Sequence, residues 1–184
     1  MYDSAIIGDE IPGARKKLFR LLEKNNPDKL VEVGVGTGRN IPFYPNIREI
    51  VGVDMSKNML NIAHRKKDYS RKSNLTLQIA NAHNLPFETN YFDNGVLTYA
   101  LSGIPDSNAT LSELERVVRP NGIIGILDFS SIGPWIIGGV SGVNLQKLCN
   151  GRDNSNIVYE DHMVLSYDFF NSNHISMYLL EVLE

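Results

Sequence analysis

The stretch Val31-Glu32-Val33-Gly34-Val35-Gly36-Thr37-Gly38-Arg39-Asn40 decides the fold, because an apolar run breaks there into three glycines at alternate positions. Glycine has no Cβ, so a chain with this spacing can turn sharply out of a strand and pass close to a ligand. Leu30 to Val33 are predicted to form a short buried strand, and the segment after Gly38 to begin a helix with its free N–H groups towards the ligand. A strand, a glycine turn and a helix start make a candidate nucleotide site, although such glycines also occur in ordinary tight loops.

The composition indicates one domain with a substantial core, since 42% of the 184 residues are hydrophobic and 21% are charged. A net charge of −3 argues against a nucleic-acid partner and favours a small or neutral substrate. Cys149 is the only cysteine, and the four histidines lack ligand spacing, so no disulfide framework and no metal are expected. A reducing compartment fits this cysteine usage.

The expected location is the cytoplasm, because Met1 to Ser4 lack the basic start and apolar run of a secretory signal. The stretch from Gly122 to Val143 could cross a bilayer by length, with Asp128 as its only charge. Its six glycines and Pro134 divide it into a strand, a loop and a helix instead. No transmembrane segment is therefore expected.

An amphipathic helix is predicted near the N-terminus and should end near Asn25-Asn26-Pro27. Its apolar positions are Ile11, Ala14, Leu18, Leu21 and Leu22, and its basic ones are Arg15, Lys16, Lys17, Arg20 and Lys24. The favoured interpretation is a helix packed on a sheet with a solvated basic side. Contact of that side with anionic lipid is the alternative.

Strand and helix patterns then alternate, which predicts a parallel sheet with helices on both faces. The predicted strands are Ile50–Asp54, Leu75–Ile79, Tyr91–Thr98 and Ile123–Leu127. One helix should begin at the N-cap Ser56 with Met59, Leu60, Ile62 and Ala63 on its inner side. A second, capped by Asp106, should bury Leu111, Leu114, Val117 and Val118 and pair Glu115 with Arg119 before a turn over Arg119-Pro120-Asn121-Gly122.

The C-terminal segment departs from this alternation. Alternating apolar residues over Met163–Phe169 and Ile175–Leu180 predict two further strands. Because Asn171-Ser172-Asn173 is too short for a crossover helix, the two strands should form an antiparallel hairpin.

Asp54 narrows the ligand class, because it lies twenty residues past Gly34, at the end of the neighbouring strand. A carboxylate there can accept both hydroxyls of a ribose, although it could also only cap the Ser56 turn. A nicotinamide dehydrogenase is disfavoured, since its third glycine would stand where Arg39 does and Gly38 comes one residue early. The absence of Gly-Lys-Ser/Thr argues against a nucleoside triphosphatase.

From Val31 to Ser130 the chain resembles the class I S-adenosylmethionine-dependent methyltransferases. The residues that carry the resemblance are the Glu-x-Gly-x-Gly-x-Gly loop, Asp54, Ala80-Asn81-Ala82, Leu85-Pro86-Phe87, Phe92-Asp93 and Glu115 to Gly122. Asp128-Phe129-Ser130 is similar to the ubiquinone/menaquinone-biosynthesis methyltransferases. Gly34 to Gly38 with Phe43-Tyr44-Pro45 are similar to the phosphatidylethanolamine N-methyltransferases.

The resemblance implies a three-layer, Rossmann-like α/β fold with a mostly parallel seven-stranded sheet and an antiparallel C-terminal hairpin. It implies one domain over residues 1–184, made of an N-terminal segment with the amphipathic helix (1–27), a cofactor-binding core (28–130), and a substrate-side helix with the terminal hairpin (131–184).

The resemblance also implies that S-adenosylmethionine is the cofactor and S-adenosylhomocysteine the product. Glu32 would orient the methionine part above Gly34, Gly36 and Gly38, Asp54 would hold the ribose, and Met55 would flank the adenine. Asn81 stands where relatives usually carry an aspartate that accepts from the adenine amino group, and Ala82 would contribute its backbone. Thr98 and Tyr99 lie where the reactive methyl should emerge.

No catalytic residue is assigned, because an in-line transfer from a sulfonium needs a base only if the acceptor must lose a proton. Tyr99, Asp128 and His162 are candidates for that base and have structural interpretations as well. The Asn-Pro-Pro-Tyr signature of amino-directed nucleic-acid methyltransferases is replaced by Thr98-Tyr99-Ala100-Leu101.

The acceptor side lacks an inserted domain, so the pocket should be closed by the N-terminal segment around Tyr2, by Leu101–Pro105, by Ser130–Val143, or by another subunit of a homo-oligomer. Apolar residues in the third of these segments favour a hydrophobic small molecule or a lipid, although they could equally pack against the sheet: Ile132, Pro134, Trp135, Ile136 and Ile137. The leading hypothesis is a methyltransferase. The alternatives are a non-catalytic protein that binds the cofactor or its product, and a peripheral membrane enzyme that methylates lipid headgroups.

Overall fold

The computed structural model describes residues 13–129, 157–159, 162–170 and 175–182. The helices are α1 (Ala14–Leu22), α2 (Lys57–Ser70) and α3 (Ser107–Val117). The strands are β1 (Lys29–Val33), β2 (Glu49–Asp54), β3 (Leu75–Ile79), β4 (Phe92–Thr98), β5 (Val118–Phe129), β6 (Ile157–Tyr159), β7 (His162–Phe170) and β8 (Ile175–Val182).

These strands form one sheet in the order β3-β2-β1-β4-β5-β8-β7-β6. The first five strands in that order pair in parallel, whereas β8 is antiparallel to both β5 and β7. The mostly parallel sheet and the antiparallel C-terminal hairpin are thereby confirmed. Within the described ranges the sheet has one strand more than the seven expected, because the three residues of β6 add to the edge.

Helices cover both faces of the sheet, as the alternation of strands and helices predicted. Successive strand residues point to opposite faces, so Val31 and Val33 contribute to one core cluster and Leu30 to the other. The cluster around Val31 includes Leu111 and Leu114 of α3, and the cluster around Leu30 includes residues of α1 and α2. The result is a three-layer α/β structure.

The helix predicted after Gly38 is wrong. A turn there leads only into a single 3-10 turn, Ile41–Phe43. Pro42 supplies no backbone N–H, and Pro45 follows three residues later, so an α-helix cannot extend through the segment. The 3-10 turn nevertheless buries Ile41 completely.

Both predicted N-caps are confirmed. Ser56 Oγ accepts a hydrogen bond from Met59 N at 3.3 Å, and Asp106 Oδ1 accepts one from Ala109 N at 3.0 Å. The inner side of α2 holds Leu60 and Ala63 as expected, but Ile62 is 41% exposed.

The segment after α3 is strand rather than helix and turn. Val118 already pairs with Phe92 in the sheet, and the register then shifts so that Asn94 pairs with Ile123. The extra residues of β5 form a bulge in which Asn121 takes the left-handed conformation expected for a turn, with φ of 63°. Arg119 therefore lies outside the helix, and its guanidinium donates to Asp93 at 2.7 Å.

Asn94 fixes the end of α1 to the sheet and was not singled out from the sequence. Its carboxamide is fully buried, donates to Leu22 O at 2.8 Å and accepts from Ile123 N at 3.0 Å. Buried polar groups need such partners, so this side chain sets how α1 sits on β4 and β5.

Several predictions concern residues outside the described ranges, among them Ile11, Cys149 and the apolar residues from Ile132 to Ile137. In the part of the chain that is described, no helix combines the length and apolarity needed to cross a membrane.

Candidate functional site

A cavity of about 270 Å³ lies at the carboxyl ends of β1, β2 and β4. The strand order places β1 between β2 and β4, and parallel α/β sheets bind ligands where the order reverses in this way. All the predicted cofactor residues except Gly38 line the cavity: Glu32, Gly34, Gly36, Asp54, Met55, Asn81, Ala82, Thr98 and Tyr99.

The glycine turn is held against β2 by its own backbone. Gly34 N and Val35 N both donate to Val53 O, at 2.9 and 3.0 Å. Gly36 then takes φ of 55°, and a Cβ added there would meet only Gly34 O, at 4.0 Å. The turn therefore presents bare backbone to the cavity, which allows a ligand to come close.

Gly38 faces the protein interior instead of the cavity. Its φ is 75°, and an added Cβ would lie 2.5 Å from Ile41 Cδ1 and 3.1 Å from Ala63 Cβ. The third glycine thus allows α2 to pack against the turn, and the ligand contact expected of it is not found in this geometry.

Replacement of Gly38 by alanine should therefore destabilise the fold by about 2–4 kcal/mol, the sum of left-handed backbone strain and overpacking. Gly13 is a matched control, because its φ is 90° and an added Cβ meets no described atom within 4 Å. Gly13→Ala should cost only the backbone strain, about 1 kcal/mol. Urea unfolding of the two variants tests this, and equal losses would contradict the packing role of Gly38.

Asp54 joins the glycine turn to the start of α2. Its Oδ2 accepts from Gly36 N and its Oδ1 from Ser56 N, both at 2.8 Å. Through the bond to Ser56 N, Asp54 caps the Ser56 turn, which was the alternative interpretation of this residue. A carboxylate has about four acceptor sites, so this half-buried group retains capacity for ligand hydroxyls.

Glu32 is a buried acid under the same turn. Tyr44 donates its hydroxyl to Oε2, and Asn40 Nδ2 donates to Oε1 at 2.9 Å. Burial raises the pKa of Glu32 to about 7, against the opposing effects of the Tyr44 hydrogen bond, the positive charge of Arg15 and the Asn40 hydrogen bond. A proton can therefore be held or released here near neutral pH.

Arg15 was expected on the solvated side of α1, and this is wrong. The residue is only 9% exposed and lines the cavity. Its guanidinium donates to Asn40 Oδ1 and, at 2.8 Å, to Thr98 Oγ1, and lies 4.9 Å from the centre of the Tyr99 ring. The spacing could have revealed this, because Arg15 precedes the buried Phe19 by four residues and Leu22 by seven.

Asn81 and Met55 also line the cavity. Met55 is 70% exposed, as suits a side chain that would cover a ring. The Oδ1 atom of Asn81 accepts from His83 N at 2.9 Å. The amide oxygen expected to accept from adenine thus already has a backbone partner.

The end of β4 and the loop that follows it line a further part of the cavity. The hydroxyl of Thr98 is engaged by Arg15 and also by Asn40 Nδ2, at 2.8 Å. Asp128 is buried and accepts from Leu101 N at 3.1 Å, which positions the loop that includes the cavity residues Gly103, Ile104 and Pro105. This contact supports the structural interpretation of Asp128. His162 begins β7, and its side chain is outside the described part.

Known proteins resemble this chain in sequence and in fold. The family model described as a methyltransferase domain matches residues 31–126. A demethylmenaquinone methyltransferase from Staphylococcus saprophyticus is 46% identical over 121 residues, which cover 63% of this chain and 51% of that protein. The chain therefore spans about half the length of this curated relative.

Two solved structures share the fold. An S-adenosylmethionine-dependent methyltransferase from Aquifex aeolicus has a TM-score of 0.68 and 16% identity, covering 97% of this chain and 98% of that one. Phosphoethanolamine N-methyltransferase 2 from Haemonchus contortus, solved with S-adenosyl-L-methionine, has a TM-score of 0.55 and 24% identity, covering 68% of this chain and 31% of that one.

Proposed function

Because the chain belongs to the methyltransferase-domain family, whose model matches residues 31–126, we propose that it transfers a methyl group from S-adenosylmethionine to a small, quinone-like acceptor. The observation that carries this proposal is the placement of Asp54 and Glu32 on either side of the bare glycine turn, on one cavity. The acceptor class is taken from the demethylmenaquinone methyltransferase that resembles about two thirds of the chain.

The residues present fit such a donor. Asp54 has acceptor capacity for the ribose hydroxyls, Gly36 leaves room for close approach, and Glu32 supplies a buried carboxylate for an ammonium group. Arg15 adds a cation to the same wall, which suits the carboxylate of an amino-acid moiety.

S-adenosylmethionine supplies a methyl group on a sulfonium, which is an excellent leaving group. The protein's contribution is then mainly to orient donor and acceptor, which can be worth roughly 7–11 kcal/mol. Thr98 and Tyr99, at the end of β4, are the proposed boundary between the two ligands. No residue of this chain is assigned as a base.

The acceptor side is proposed to be apolar in part. Ile104 and Pro105 line the cavity beyond Tyr99. They would face a ring system rather than a charged group. A lipid headgroup is the alternative methyl acceptor, and the labelling experiment described below distinguishes it from a quinone.

A second candidate function is binding of the cofactor or its product without methyl transfer. The observation that favours it is the engagement of Asn81 Oδ1 by His83 N, at the position where relatives usually carry a charged acceptor. A weakened adenine contact would suit a sensor or carrier of the nucleoside.

The test is incubation of the protein with S-adenosylmethionine labelled on its methyl group and with extracted cell lipids, after calorimetry has established cofactor binding. We expect label in the hexane-soluble quinone fraction, with heat-inactivated protein as control. Label confined to phospholipid would support the headgroup variant, and binding without any transferred label would support the second candidate. Absence of binding would sink both.

We also propose cytoplasmic action, which the single Cys149 favours, and one domain over residues 1–184. We propose a homo-oligomer only in the case that a second copy of the chain closes the acceptor side of the cavity.

A further inference from the structure

Charge is unevenly distributed over the protein, although its net charge is only −3. The segment that contains α1, residues 13–26, has one acid, Glu23. The segment that contains α2, residues 57–72, also has one, Asp68. Their exposed or half-exposed basic residues define what we call the basic face: Lys16, Lys17, Arg20, Lys24, Lys57, Arg65, Lys66, Lys67, Arg71 and Lys72. These are more than half of the chain's 18 lysines and arginines.

The two helices form one surface because they share a side of the sheet and contact the same turn. Phe19 of α1 packs edge-on against Tyr44, with ring centres 5.4 Å apart. Lys72, just after α2, donates to Tyr44 O at 2.9 Å. The outward sides of α1 and α2 are therefore neighbours across the Ile41–Phe43 turn.

The opposite side of the sheet has a different character. There α3, the loops around it and the start of β4 carry mainly acids: Glu88, Asp93, Asp106, Glu113 and Glu115. The Arg116 and Arg119 side chains on this side are each paired with a carboxylate, Glu113 and Asp93. Among the described helices, α1 and α2 are thus cationic on their outward sides, whereas the region around α3 carries mainly acids.

Large apolar side chains are exposed among the cations. Tyr69 is 92% exposed, and Ile62, two helical turns earlier on α2, is 41% exposed. Phe43, on the 3-10 turn between α1 and α2, is 37% exposed. Residues 62 and 69 lie on the same side of α2, since seven residues make two turns.

We propose that the basic face binds the surface of an anionic lipid membrane. Clustered lysines and arginines attract an acidic bilayer, and exposed tyrosine and aliphatic side chains enter its headgroup region. Duplex nucleic acid would complement the charge, but its paired and stacked bases would offer no apolar surface to Ile62 and Tyr69. The inference is independent of methyl transfer and extends lipid contact beyond α1 to α2.

The test is sedimentation of the full chain with vesicles of equal parts phosphatidylglycerol and phosphatidylcholine, against vesicles of phosphatidylcholine alone. We expect binding to the acidic vesicles that weakens as salt rises. Lys16→Glu with Arg20→Glu on α1, and Arg65→Glu with Lys67→Glu on α2, should each lower partitioning roughly tenfold or more. Ile62→Ser with Tyr69→Ser should lower it while all charges remain.

A matched control lowers the net charge by the same four units elsewhere: Thr76→Glu, Thr89→Glu, Asn108→Glu and Ser112→Glu. This variant should sediment like the parent, and melting curves report whether every variant is folded. The proposal is overturned if the parent stays in solution with acidic vesicles, or if both reversal pairs bind as the parent does. A third result would also overturn it: duplex DNA binds as tightly as the acidic vesicles, and Ile62→Ser with Tyr69→Ser weakens the binding of neither. The basic face would then be a general polyanion site.

Discussion

Asp54→Asn should weaken binding of S-adenosylhomocysteine by about ten- to a hundredfold, because hydrogen bonds to a charged acceptor contribute roughly 1.5–3 kcal/mol. The carboxylate already accepts from Gly36 N and Ser56 N. An asparagine offers one oxygen in place of two, so it cannot keep both backbone bonds and also hold a ribose. Isothermal calorimetry measures the loss.

Asp93→Asn is the matched control for this substitution. Asp93 also accepts from two backbone amides, Asp28 N at 2.7 Å and Lys29 N at 2.8 Å, but it is not among the residues that line the cavity. Partial burial raises the pKa of Asp93. Hydrogen bonds from Arg119, Lys29 N and Asp28 N outweigh this effect and hold the pKa below its usual value. Its amide variant should lose stability and retain cofactor affinity.

A ligand that lacks the ribose 2′-hydroxyl separates the direct role of Asp54 from a structural one. The parent should bind it at least about tenfold more weakly than the complete ligand, and Asp54→Asn should discriminate much less, since coupled partners are not additive. Equal discrimination by both proteins would show that Asp54 acts only by shaping the turn.

Glu32→Gln should change stability and binding in opposite directions. At pH 8 the ligand-free variant should be more stable than the parent by about 1–3 kcal/mol, since each unit of pKa shift corresponds to about 1.4 kcal/mol. A glutamine can accept from Asn40 Nδ2 and, with the direction of the second bond reversed, donate to the Tyr44 oxygen, so it remains bonded to both neighbours. Its affinity for the cofactor should fall roughly tenfold, because an amide is a weaker partner than a carboxylate for an ammonium group.

The pH dependence follows from the raised pKa of Glu32. The folded protein keeps a proton on Glu32 up to about pH 7, whereas the unfolded chain releases it near the ordinary glutamate pKa of 4.5. Between these values the folded state binds more protons, so this group makes stability fall as pH rises through the window. Urea unfolding at pH 5, 6, 7 and 8 should show that decline in the parent and not in Glu32→Gln.

Glu113→Gln is the control with the opposite sign. The hydrogen bond from Arg116 lowers the pKa of Glu113, and the bond from Leu85 N lowers it further, whereas partial burial raises it; the net effect is a lowered pKa. This group stabilises the fold above its unfolded pKa and loses that effect as pH falls. The same type of substitution should therefore destabilise the protein at pH 8, and a gain in stability at Glu113 would invalidate the interpretation of Glu32.

The layered fold was predictable because its central strands are continuous apolar runs, as expected for parallel strands covered on both faces, and because α2 and α3 begin at residues whose side chains cap them. Ser56 and Asp106 could be recognised from local sequence, since each bonds a backbone N–H three residues on. The helix expected after Gly38 is not formed because Pro42 and Pro45 interrupt the segment, which leaves only a 3-10 turn. The bulge at Asn121 depends on pairing with β4, which no local pattern reports.

The site was predictable where it depends on spacing along one strand and turn, as with Glu32, Gly36 and Asp54. It was not predictable where contacts join distant segments. Asn40 and Tyr44 hold Glu32 across the turn, and Arg15 reaches Thr98 from 83 positions away. Charge alone placed Arg15 in solvent, whereas its spacing from Phe19 and Leu22 places it inside.

The position of β8 between β5 and β7 has a consequence for biosynthesis. A nascent chain that has emerged only as far as β7 has every described wall of the cavity but leaves the outer edge of β5 with unpaired backbone groups. Such an edge readily pairs with other chains. The inner side chains of β8, including Met177 and Tyr178, belong to both core layers, so neither layer is complete until β8 pairs with β5. Cellular yield should thus depend on protection of the incomplete sheet during translation.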